Sequence, residues 1–139
     1  MRDFLSSAYQ KDIFMSKIIV NTDLAPAAVG TYSQGVAVNG TYYFSGQIGI
    51  DPKTNNLVEG FGPQLAQVMK NIDGLLTSQG LTRENIVKTS IFLTDLGNFS
   101  AVNDAYVEFF KAPYPARSTV EVPKLPKGAV VEIEVIAVK

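Results

Sequence analysis

Val130-Val131-Glu132-Ile133-Glu134-Val135-Ile136-Ala137-Val138 is the stretch on which the architecture turns. Side chains alternate along a strand, so Val131, Ile133, Val135 and Ala137 share one face and Glu132, Glu134, Ile136 and Val138 the other. Its β-branched residues predict a strand, apolar on both faces except at the two glutamates. Working back along the chain, Ser118 to Val122 predicts another strand. Before it comes an amphipathic helix carrying Phe99, Val102, Tyr106, Phe109 and Phe110, stopped by Pro113 and Pro115. Ile86 to Leu93 reads as a strand. Leu65, Val68, Met69, Ile72, Leu75 and Leu76 recur at the spacing of one helical face, with Pro63 in the first turn and Gly80 where a C-terminal cap falls. Asp51 to Asn56 is a turn cluster. Asn39-Gly40, between Val36-Ala37-Val38 and Thr41-Tyr42-Tyr43-Phe44-Ser45, predicts a two-residue hairpin, because both central residues must take positive φ. Ile18-Ile19-Val20 is a short first strand.

The order is hairpin, helix, strand, helix, then two strands. Strand–helix–strand crossovers are almost always right-handed, and two of them put both helices on one face of a mixed sheet. The fold class is therefore α+β. Two helices cover one face only, and the doubly apolar last strand demands cover on the other, for which a neighbouring subunit is the simplest source. No repeat or linker interrupts the pattern, which reads as one domain over residues 15–139. Met1 to Phe14 reads as a short extension with little role in function.

Composition narrows the chemistry. The chain has 139 residues, is 46% hydrophobic and carries 18% charged residues, which suits one compact domain with part of its surface hidden against a partner. Net charge is -1 and no two basic residues are adjacent, so the electrostatic footprint of nucleic-acid binding is missing. Without cysteine or histidine there is no thiolate nucleophile, no disulfide, no usual zinc ligand and no imidazole base. Acid–base work falls to Asp, Glu, Lys, Tyr or water. No apolar run reaches the roughly 20 residues of a membrane span, and Met1 to Met15 lacks a signal-peptide core. A cytoplasmic location and no membrane partner are expected.

Two positions stand out as candidate chemistry. Arg117 follows Pro113-Tyr114-Pro115-Ala116 at the start of a strand. Its guanidinium is a planar fork matched to a carboxylate, with a charge that does not titrate away. The competing reading is an exposed strand-end arginine or a structural salt bridge. Glu132 and Glu134 share one strand face between apolar flanks, where burial and mutual repulsion raise a carboxyl pKa toward that of a useful base. The competing reading is a solvated face or a structural ion network. Tyr32, in Gly30-Thr31-Tyr32-Ser33-Gln34-Gly35, reads equally as a loop or core aromatic. The glycines there lack phosphate-loop spacing. Ser45-Gly46-Gln47 ends a strand where backbone amides can meet a ligand, or where Gly46 serves only a bulge or turn. Asn103, on the second helix, reads as an interhelix or solvent-facing polar contact.

Taken in order and at their spacing, several segments resemble the Rid family, the YjgF-like reactive intermediate deaminases, from about Met15 to Lys139. They are Ala25 to Gly35, Ser45-Gly46-Gln47-Ile48, Ile86-Val87-Lys88-Thr89, Thr94-Asp95-Leu96 and Val102 to Tyr106. Pro115 to Val122 is the most specific, followed by Leu125-Pro126 and Val131-Glu132-Ile133-Glu134. The resemblance implies a fold like the chorismate mutase of bacilli, a homotrimer with sheets around a central axis and helices outside, and three clefts between neighbouring subunits. It implies that Arg117 binds a substrate carboxylate, that Glu132 positions the attacking water, and that Tyr32, Ser45 and Gly46 line the same cleft. Thr119 stands where many imine-hydrolysing members have cysteine, and its backbone can still serve a ligand. The implied activity is hydrolysis of 2-iminobutanoate- or 2-iminopropanoate-type imines to 2-keto acids and ammonia. No metal or organic cofactor is implied, since a protonated imine is already a good electrophile. A regulatory trimer binding 2-keto acids, and a ribonuclease or translation inhibitor, are the competing functions. Glu132 favours the enzyme, and the lack of histidine and of a basic patch argues against the nuclease.

Overall fold

The computed structural model describes residues 16–139. The extension expected over Met1 to Phe14 lies outside the described residues. Two sheets form. The larger has six strands in the order β1 (Ile18–Val20), β2 (Gly35–Val38), β3 (Thr41–Phe44), β8 (Val131–Val138), β6 (Ile86–Leu93) and β7 (Ala116–Glu121). The smaller pairs β4 (Ile50–Asp51) with β5 (Asn56–Leu57), closing the turn cluster. Helices α1 (Phe61–Ser78) and α2 (Phe99–Phe109) supply the two crossovers. β8 runs antiparallel to both β3 and β6, so β3 and β6 are parallel to each other, and β6 is parallel to β7. The sheet is mixed and the fold α+β, as the element order required.

Local signals explain the joints. Asn39 and Gly40 both take positive φ, 51° and 82°, and the flanking strands pair Val38 with Thr41. At the end of α1 the Leu81 amide bonds to the Leu76 carbonyl and the Gly80 amide to that of Thr77, with Gly80 at φ 70°, a Schellman closure. β7 begins two residues earlier than Ser118, the start the sequence pattern suggested, so Arg117 lies inside it.

The core sits between sheet and helices. Val131, Ile133, Val135 and Ala137 of β8 are buried against Val68, Ile72, Leu75 and Leu76 of α1, with Val102, Tyr106 and Phe109 of α2 completing the layer. The other face of β8 behaves differently: Glu132 and Ile136 are half-buried, while Glu134 and Val138 are exposed. Beside it, Tyr43 of β3 is 53% exposed although it is paired with Ile136. The helices thus cover one face, and the opposite face carries apolar side chains without cover in the single chain. Phe99, expected in the apolar stripe of α2, is outside that core and 39% exposed.

Candidate active site in two half-sites

The first half-site forms on the helix-free face of β8. Glu132 and Glu134 line a cavity of about 520 Å³ together with Tyr32, Ser45, Gly46 and Lys127. The Ser45–Gln47 segment is fixed from both sides. The Ser45 amide donates to the Gln34 carbonyl at 2.9 Å, and its hydroxyl donates to the Ser33 carbonyl at 2.6 Å. Gln47 and Ile133 exchange backbone hydrogen bonds of 2.9 and 3.1 Å. This clamps Gly46 against Glu132 so closely that a Cβ at position 46 would stand 2.6 Å from Glu132 Oε2. The missing side chain is what admits the carboxylate. Burial raises the Glu132 pKa above the ordinary carboxylate value, and repulsion from Glu134 raises it further. Tyr32 stands at the mouth, 53% exposed.

A residue with no assigned role in the sequence reading holds this wall together. Gln34 is buried; its amide oxygen accepts from the Thr22 amide at 2.7 Å, and its nitrogen donates to the carbonyls of Thr22 at 2.9 Å and Pro26 at 2.8 Å. It ties the 22–26 loop to the start of β2. Only its partners, eight to twelve residues back in the chain, reveal this, and no local pattern marks them.

The second half-site lies on the opposite face. β7 pairs in parallel with β6, placing Arg117 opposite Thr89 and Thr119 opposite Ile91. Thr89 and Ile91 are buried on the helix side, so Arg117 and Thr119 project there too. Arg117 Nη1 donates to Asn103 Oδ1 at 2.7 Å, and its guanidinium carbon lies 5.1 Å from the Phe99 ring centroid and 5.3 Å from that of Tyr106. Arg117, Asn103, Tyr106, Val107, Tyr114 and Pro115 bound a cavity of about 360 Å³. Among the described residues the sole side-chain ion pair is Arg83–Asp73 at 2.7 Å, and none of their carboxylates pairs with Arg117. The Thr119 hydroxyl is buried without a hydrogen-bond partner and lines neither cavity.

Of the expected site residues, one chain therefore brings Tyr32, Ser45, Gly46 and Glu132 together and sets Arg117 and Thr119 apart, on the other face of the sheet with β6 between. Two readings are corrected. Asn103, partly buried at the edge of the cavity, reaches across to β7 and not to the other helix, accepting from Arg117, and Phe99 packs beside that guanidinium instead of the core. Among the described residues no cluster of acidic side chains could hold a metal ion, and no helix is long and apolar enough to cross a membrane.

The mixed-sheet α+β fold with two helices on one face is the fold of solved Rid proteins. The sequence profile of the family described as Endoribonuclease L-PSP matches residues 22–139, and the chain belongs to this family, also called YjgF or Rid. It is 47% identical over 122 residues to the 2-iminobutanoate/2-iminopropanoate deaminase of Capra hircus, covering 87% of this chain and 89% of that one. Crystallised RidA from an Antarctic Psychrobacter is 48% identical, with a TM-score of 0.85 over 88% of this chain and 99% of its own. TdcF of E. coli, solved with bound serine, is 38% identical, with a TM-score of 0.83 over 88% of this chain and 98% of its own.

Proposed function

We propose that this chain hydrolyses short 2-imino acids to 2-keto acids and ammonia, as a homotrimer whose sites are each shared by two neighbours. The observation that carries the reading is Arg117: a half-buried guanidinium with no carboxylate partner among the described residues. A cation sheltered in this way is matched to a ligand carboxylate. The names of relatives at 42–47% identity favour the imine over other carboxylates.

Sharing between subunits follows from the separation of the half-sites. Glu132 and Arg117 lie on opposite faces of one sheet, so they can meet only across chains. Exposed apolar side chains flank both halves: Val29 and Tyr32 at the Glu132 cavity, and Val107 and Tyr114 beside Arg117. An uncovered sheet face and two apolar margins together favour burial against copies of the same chain.

The reaction then needs little machinery. Arg117 holds the carboxylate and so aims the C=N carbon at a water on Glu132. As the water oxygen bonds to that carbon, Glu132 accepts a water proton and the C=N π electrons move to nitrogen, giving a carbinolamine. Glu132 passes its proton to the amine, the C–N bond breaks, and ammonia leaves as Glu132 takes the hydroxyl proton and the C=O bond forms; that proton then passes to ammonia. An iminium plus water becomes a keto acid plus ammonium. The raised pKa of Glu132 improves it as a base near neutrality. Positioning supplies much of the remaining acceleration.

The test is a coupled assay in which a dehydratase generates the imine and semicarbazide trapping reports its removal. Arg117→Ala should weaken 2-ketobutyrate binding by about 1.5–3 kcal/mol, roughly ten- to a hundredfold, and Arg117→Lys should restore little. Glu132→Gln should bind the keto acid while turnover falls by about two to four orders of magnitude. Parent-like turnover in Glu132→Gln removes the base, and parent-like binding in Arg117→Ala removes the anchor.

A further inference from the structure

An arginine that must greet a ligand carboxylate faces a physical conflict. It has to be held still, yet the usual way of holding an arginine is a protein carboxylate, which neutralises the charge the ligand needs. Helix α2 resolves this with neutral groups. Phe99, Asn103 and Tyr106 are at positions i, i+4 and i+7, one face of the helix. Seven residues rise about 10.5 Å, and the guanidinium carbon lies 5.1 Å from the Phe99 ring and 5.3 Å from the Tyr106 ring. It is thus nearly equidistant from two aromatic rings on one helix face, each within the roughly 6 Å over which a ring attracts a cation. Asn103 lies between them along the helix, with its Oδ1 2.7 Å from Arg117 Nη1. Arg117 Nε and Nη2 make no hydrogen bond among the described residues, and they form one of the paired edges that fit a carboxylate.

We propose that Phe99, Asn103 and Tyr106 are positioning residues forming a charge-neutral clamp, which fixes Arg117 without cancelling its charge and presents its Nε–Nη2 edge to the substrate carboxylate. This rests on the reading of Arg117 as the anchor. The clamp requires that the acceptor at position 103 be neutral, and a merely structural hydrogen bond does not. Asn103→Asp keeps an acceptor in place and adds an ion pair, so the fold should be as stable as the parent or more so, while the ligand meets a competing carboxylate.

The experiment compares Asn103→Asp, Asn103→Ala, Phe99→Leu, Phe99→Tyr and Arg117→Ala in the full chain. Calorimetry gives the Kd for 2-ketobutyrate, thermal melts give stability, and imine turnover gives KM and kcat. Asn103→Asp should retain the parental Tm and weaken 2-ketobutyrate binding by about tenfold or more, beyond the loss in Asn103→Ala. Phe99→Leu should raise KM several-fold with kcat little changed, and Phe99→Tyr should recover most of it. Asn103→Asp binding as tightly as Asn103→Ala or tighter overturns the clamp, and so does a Phe99→Leu variant with parental KM. If Arg117→Ala binds 2-ketobutyrate normally, the anchor reading itself fails. If Arg117→Ala loses binding while Asn103→Asp keeps it, the clamp alone fails.

Discussion

At the scale of single residues, the pair Gly46 and Glu132 joins packing to proton affinity. A Cβ at position 46 meets the flexible end of Glu132, not the backbone, so Gly46→Ala should fold normally. It should displace the carboxylate, and displacement of about 1 Å costs up to roughly a hundredfold in turnover. Circular dichroism beside the imine assay separates the two effects. The raised pKa of Glu132 also predicts a stability effect. Between the ordinary value of 4.5 and the raised folded value, the native state binds more protons than the unfolded chain. Stability therefore falls as pH rises through that window, and the loss is complete above the folded value. Glu132→Gln should melt higher than the parent at neutral pH, with the gain vanishing below the ordinary value. A constant difference at all pH values would mean that charge burial is not its cause. The alternation of β8 made the shared face of Glu132 and Glu134 legible from sequence. The seat at Gly46 was not, because it depends on the bridge between Gln47 and Ile133, far apart in the chain.

At the scale of elements, the strands and helices with strong periodicity were legible and their mutual register was not. The spacing of Phe99, Asn103 and Tyr106 defines a helix face without saying what lies opposite. The parallel pairing of β6 with β7 decides that Arg117 goes to the helix side, and such pairing is written nowhere locally. The two-residue strands β4 and β5 were too short for alternation to register; only their turn was visible. One helix–loop contact yields a test. A Cβ at Gly74 in α1 would stand 2.0 Å from the Leu24 carbonyl oxygen, backbone of the loop that Gln34 ties down. Gly74→Ala should therefore cost about 1–3 kcal/mol. Gly80→Ala meets no atom within 4 Å but is held at φ 70°, so it should cost only about 1 kcal/mol. Chemical denaturation of both variants ranks them, and the reverse order would mean that the 22–26 loop yields without penalty.

At the scale of the whole molecule, the doubly apolar last strand is the reason to expect a partner, and the proposed sharing of Glu132 and Arg117 assigns that partner a task. Light scattering should find a stable trimer. Mixing offers a sharper check. Arg117→Ala and Glu132→Gln are each expected to be poor catalysts, but unfolding and refolding them together lets an intact Arg117 on one chain face an intact Glu132 on another. With random assembly roughly a quarter of shared sites would be whole. Restoration near a quarter of parental turnover supports sites built between chains, and no restoration means that each chain works alone.

The place of β8 also bears on how the molecule is made. β8 comes after every other strand in the chain, yet it lies in the middle of the sheet. Until it is synthesised, the growing polypeptide holds two separate fragments, β1–β2–β3 and β6–β7, each with an open edge that invites wrong pairing. A ribosome that stalls before Val131 releases a chain with a divided sheet and no Glu132. The middle of the sheet and the Glu132 carboxylate thus arrive in one step of translation.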